Sequence, residues 1–192
     1  IPVMIEYSRY EQHPLGKVEW VKFFGALTGK EAKAEEAFAE QTEILEEVES
    51  GEKTGKTIAF FYVTSNGLIQ VRQSTDYIPK LIELAGGRYI FENLEDSGSG
   101  RSTLNMQVED FYAGAKDADI LIYNSSIDGG VTTVDELIGK CNILKDFKAV
   151  QEGQVYCTTN DMYQQSMAVG DLLQDMHTVL TDDDTAKLRY LF

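Results

Sequence analysis

Arg72, Tyr77, Tyr123 and Tyr163, together with Ser65, Asn66 and Asn124, are the side chains of this sequence best placed to hold a ligand. Each falls in, or runs on from, a loop that follows an expected strand: 64–67 leading to Arg72 and Tyr77, 124–130, and 159–163; a fourth loop spans 92–102. In open α/β sheets, ligands bind beyond the carboxyl ends of the strands. Hydroxyl, amide and aromatic groups in such loops suit a polar or chelated small molecule held by hydrogen bonds and ring contacts. The same Gly, Asn and Ser residues are also what tight turns require. Both readings stay open from the residues alone.

Motifs for covalent or phosphate chemistry fail on spacing. Gly51-Glu52-Lys53-Thr54-Gly55-Lys56-Thr57 has three residues between its glycines where a phosphate loop needs four, and it precedes its strand instead of following one. Gly98-Ser99-Gly100 lacks the rest of a dinucleotide fingerprint, and Asp182-Asp183-Asp184 lacks the alternating ligands of a calcium loop. Asn124-Ser125-Ser126 matches a glycosylation acceptor, a pattern of little specificity. His13 and His177 are the only histidines, which weakens a nucleophile–histidine pair or a histidine metal site. No catalytic residue and no resident cofactor is assigned. Cys141 and Cys157 lack metal-ligand spacing and read as two packed thiols, a single disulfide being the lesser alternative.

Charge narrows the partners further. Seventeen basic residues against 32 acidic ones give a formal charge of −15, which argues against nucleic acid or an anionic membrane surface. No apolar run is long enough to cross a bilayer, and 192 residues suffice for a full core. The chain opens at Ile1 inside an apolar run, which suggests a processed or truncated product.

The elements that position these loops follow from hydrophobic periodicity. Over 30–50, Ala34, Ala37, Phe38, Gln41, Ile44, Leu45 and Val48 recur at helical spacing, with glutamates filling the opposite face. The preceding turns from Leu15, with Trp20, Phe23 and Phe24, are expected to be buried, and the break at Gly29 gives a helical hairpin or kinked pair. Beyond it, strands are expected over 57–63, 88–91, 119–123 and 153–158, and helices over 75–85, 106–116, 134–144 and 166–180. Strands over 2–6 and 67–73 complete the set, the latter as an extra short strand or flap. Alternating strand and helix predict an α/β fold, a three-layer sandwich with a mainly parallel sheet flanked by helices.

Four stretches then resemble the class III periplasmic binding proteins of ABC importers, which capture ferric siderophores, haem and cobalamin. They are Phe24-Gly25-Ala26-Leu27-Thr28-Gly29-Lys30-Glu31-Ala32-Lys33-Ala34; Asp76 to Gly87, ending Ala-Gly-Gly; Glu109 to Tyr123; and Phe147 to Tyr156. Their order and spacing cover the chain from about Pro14 onward. The resemblance implies that residues 1–14 are the tail of a missing N-terminal lobe, 15–28 an interlobe spine helix and 29–192 the C-terminal α/β lobe. It implies a non-enzymatic protein outside the cytoplasm, lipid-anchored through an upstream segment, that hands an iron chelate to a permease. Arg72 would then meet anionic oxygens, with Tyr77, Tyr123 and Tyr163 supplying rings or hydroxyls, and Glu109, or its neighbour Asp110, would dock on the permease. The other readings are direct metal or haem ligation through Tyr or Asp oxygens, an α/β hydrolase or transferase acting on a small polar molecule, and a structural lobe that dimerises through 2–6.

Overall fold

In a computed structural model, the protein is described over residues 3–94, 101–127, 130–162, 167–182 and 185–192. The chain enters through α1 (Pro14–Thr28) and α2 (Glu31–Glu49), an antiparallel pair. Pro14 opens α1 at a position where its missing N–H costs nothing, and His13 Nδ1 accepts from Leu15 N at 3.2 Å. Gly29 closes α1 in the left-handed conformation, φ 65°. Ala34, Gln41, Leu45 and Val48 are the buried stripe of α2, and all seven glutamates from Glu35 to Glu49 face solvent.

Six strands form one mixed sheet: β1 (Thr57–Val63), β2 (Ile69–Arg72), β3 (Arg88–Tyr89), β4 (Thr103–Met106), β5 (Ile120–Tyr123) and β6 (Val155–Cys157). The order is β4-β2-β1-β5-β6, with β3 pairing the first two residues of β1. β3, β5 and β6 run parallel to their neighbours, while β2 and β4 form an antiparallel edge. Between them lie α3 (Tyr77–Leu84), α4 (Val108–Ala115), α5 (Val134–Lys140) and α6 (Lys148–Glu152), and α7 (Val169–Thr181) follows the last strand.

The central strands alternate into two cores, because successive side chains of a strand point to opposite faces. Ile58, Phe60, Ile120 and Ile122 pack with α1, α2, α3 and α7 on one face. Ala59, Phe61, Leu121 and Tyr123 pack with α4, α5 and α6 on the other. That gives the expected three layers. Cys141 and Cys157 are free thiols buried in the second core.

Several expectations are corrected. Residues 3–6 form no strand; they find no sheet edge, and Val3 is 86% exposed. Phe23 and Phe24 are exposed, at 37% and 46%, and Trp20 is half-buried, because α1 turns Val18 and Gly25 toward its neighbours and its aromatic flank away. The helix expected from Met106 begins at Val108, since 103–106 is the outer strand β4. The helix expected over 134–144 ends at Lys140 and continues as a 3-10 turn, Asn142–Asp146.

Candidate functional site

The first cavity is built where β2 ends and α3 begins. At Arg72 the ladder to β1 has run out, and Tyr89 of β3 replaces it: its hydroxyl accepts from Arg72 N at 3.0 Å and donates to Arg72 O at 2.8 Å. Four residues on, Asp76 caps α3, its Oδ1 accepting from Ile78 N at 3.0 Å. The same carboxylate lies 3.6 Å from Arg72 Nη1, and both side chains are almost wholly buried. The Arg72 guanidinium carbon stands 5.7 Å from the centre of the Phe60 ring.

Lys17 reaches this place from α1. Its ammonium lies 4.5 Å above the Tyr77 ring and donates to Ser8 O at 3.3 Å. Between these side chains, Arg9, Met162 and Tyr190 lies a cavity of about 210 Å3, where α3 and α7 begin. Among the described residues, three cations therefore face one carboxylate, in a chain whose net charge is −15. Burial pushes the Asp76 carboxyl up and the Lys17 ammonium down from their usual ranges, each opposed by the opposite charges beside it. Burial likewise pushes the Tyr77 and Tyr89 phenols well above the usual tyrosine value, so both stay neutral donors. Such a site can accept an anionic group: two charge-assisted donor side chains and a neutral phenol converge on it.

Of the seven residues singled out in the sequence, Arg72 and Tyr77 line this cavity. Ser65 and Asn66 lie instead in the exposed turn between β1 and β2, where Thr64 Oγ1 donates to Asn66 Oδ1 at 2.6 Å. Tyr123 is fully buried in the second core, its ring centre 5.5 Å from that of Phe61 and 6.1 Å from that of Tyr62. Asn124 is also buried; its N–H continues the ladder to Phe61 O at 2.8 Å, and its side chain accepts from Ser126 Oγ. Tyr163 falls outside the described residues. Glu109 and Asp110 are exposed on the first turn of α4. Lys17, Asp76 and Tyr190 belong to the cavity and were missed. Asp76 fell inside the helix expected over 75–85, which gave no sign of its place as the cap.

A second, apolar and more open cavity of about 460 Å3 lies beside α1, lined by Met4, Ile5, Trp20 and Phe23. Among the described residues, no group of three or more His, Cys, Asp or Glu side chains is placed to hold a metal ion. No described helix is long and apolar enough to cross a membrane.

The model of the periplasmic binding protein family matches residues 6–162. The chain belongs to that family. Two relatives are uncharacterized lipoproteins of Methanocaldococcus jannaschii, 32% identical over 174 residues and 26% identical over 163. These matches cover 88% and 82% of this chain but 40% of each relative, so the chain spans well under half the length of the curated proteins it matches. Among solved structures, a possible iron-binding periplasmic solute-binding protein of Staphylococcus epidermidis shares the fold with a TM-score of 0.69 at 18% identity, over 93% of this chain and 66% of that one. The Staphylococcus aureus protein IsdE, solved with heme, gives a TM-score of 0.65 at 15% identity, over 88% of this chain and 65% of that one.

Proposed function

We propose that this chain carries cargo-binding residues of an extracytoplasmic substrate-binding protein that captures an anionic iron chelate, of siderophore, haem or cobalamin type, and delivers it to an ABC permease. One observation carries the reading: Arg72, Lys17 and Tyr77 converge on one cavity in a periplasmic-binding-protein fold, cationic against an acidic chain. The solved relatives whose names mention iron or heme support the chelate class. On this reading the protein binds and releases without catalysing a reaction, α1 is the spine between two lobes, and residues from 29 onward form the second lobe. Glu109, exposed on α4, is the carboxylate offered to the permease. A lipid anchor agrees with the lipoprotein names of two relatives.

The test is a titration of the protein with ferric siderophores, haem and cobalamin, read by quenching of Trp20 and the tyrosines. Saturable quenching by one class, lost in Arg72→Ala, is the expected result. Silence toward all of them, or affinity unchanged by Arg72→Ala, overturns the assignment.

A further inference from the structure

Among the described residues, Asp76 is the one acidic side chain lining the cavity described above. As a helix cap it needs only a short oxygen acceptor; Ser, Thr or Asn would serve α3 about as well. A carboxylate does something those residues cannot. It places a negative charge 3.6 Å from Arg72 and within the field of Lys17, inside a wall where both members of the ion pair are nearly dry. A buried carboxylate carries a desolvation cost that a neutral cap avoids.

We propose that Asp76 is a specificity-determining residue of this pocket, an internal counter-charge that an incoming anionic group must outcompete for Arg72 and Lys17. The inference rests on the reading of the pocket as an anion site. Its consequence is selection by charge. A neutral or cationic ligand leaves the Arg72–Asp76 pair as it is and gains little from either cation. A ligand with one weak anionic oxygen gains roughly what Asp76 already offers. A multiply anionic group can engage Arg72 and Lys17 together, with Arg9 on the rim, and takes the site. Asp76 thus raises the threshold of negative charge that the pocket accepts.

The experiment compares the wild-type chain with Asp76→Asn, Asp76→Ser and Arg72→Ala, using ferric citrate as the anionic probe and ferrioxamine B as a cationic chelate of the same metal. Asn and Ser keep the cap, and far-UV circular dichroism with a thermal melt checks that α3 is intact. The expected result is ferric citrate bound at least about fivefold more tightly by both Asp76 variants, the scale of one unit charge a few ångströms away in water-like screening. Ferrioxamine B binding should not tighten. If wild type binds ferric citrate through Arg72 and both Asp76 variants bind it no better, Asp76 is a helix cap only and this inference is overturned, while the anion-site reading stands. If neither wild type nor any variant binds ferric citrate, the anion-site reading falls, and the inference falls with it.

Discussion

Asp175 Oδ2 accepts from the backbone N–H of Tyr190 at 2.6 Å, and the residue fixed in this way is a wall of the Arg72 pocket. The same buried carboxylate accepts from Arg189 N at 2.9 Å and from Leu191 N at 3.0 Å. Three consecutive N–H groups therefore converge on one side chain of α7. Residues 190–192 also pair with the end of β6 and the residues just after it, through both bonds between Cys157 and Phe192 and through Thr159 N to Tyr190 O. Asp175→Ala leaves these donors without their acceptor and should cost about 3 kcal/mol, read as a shift of the urea midpoint. It should also weaken ligand binding at the cavity. A variant as stable as wild type would show that the last residues hold their place without Asp175.

Acid should act through Asp119. Burial works to raise its carboxyl, but hydrogen bonds from Lys148 Nζ at 2.6 Å and from Thr57 N and Oγ1 at 2.7 and 2.8 Å prevail and hold it down to about 2. A carboxylate whose folded value is depressed adds stability above its unfolded value near 4, and that contribution is lost as pH falls toward 2. Asp119→Asn should therefore be less stable than wild type at neutral pH by about 1 kcal/mol, since the ion pair is partly exposed. The gap should close between about pH 4 and pH 2. Denaturation curves across that window decide it; a gap independent of pH would mean that the charge of Asp119 is irrelevant.

Gly25 is a packing requirement of the α1–α2 pair. A methyl group placed there would sit 2.5 Å from Ala34 Cβ and 3.3 Å from Lys30 O. Alanine is the better helix former by about 1 kcal/mol, yet Gly25→Ala should destabilise, because overpacking of this kind costs about 1–3 kcal/mol. Adding Ala34→Gly should recover part of the loss, and that coupling is the measurement. A stabilised single variant would mean that the two helices separate freely.

What the sequence disclosed, and what it hid, follows from where each residue spends its contacts. Thr57–Val63 was legible to the residue, since a strand covered on both faces must be apolar throughout. Gly86, in the left-handed region at φ 93°, marked the end of α3, while its start, expected at Thr75, falls at Tyr77 behind the cap Asp76. Thr103–Met106 was not legible, because an edge strand with half-exposed side chains carries no such pattern. Residues 3–5 show the converse, an apolar run with no edge to join. Arg72 and Tyr77 were found together because one turn joins them. Lys17 and Tyr190 come from 55 and 118 positions away, by 72 − 17 and 190 − 72, and nothing local marks them. Tyr123 lies in the second core and away from this cavity, since an aromatic at a strand end serves a core as readily as a ligand.

The ammonium of Lys17 reports directly on the charge balance of the pocket. Burial holds its pKa below the usual lysine value, while the carboxylate of Asp76 raises it and the guanidinium of Arg72 lowers it. Removing the Asp76 charge in Asp76→Asn should therefore move Lys17 further down, and removing Arg72 in Arg72→Ala should move it up. The two shifts have opposite sign, so a general loosening of the site cannot imitate both. Reductive methylation with 13C formaldehyde makes each lysine visible by NMR, and Lys17→Arg assigns the resonance. Shifts of the same sign in the two variants would mean that desolvation alone sets this amine, and that the carboxylate of Asp76 does not reach it.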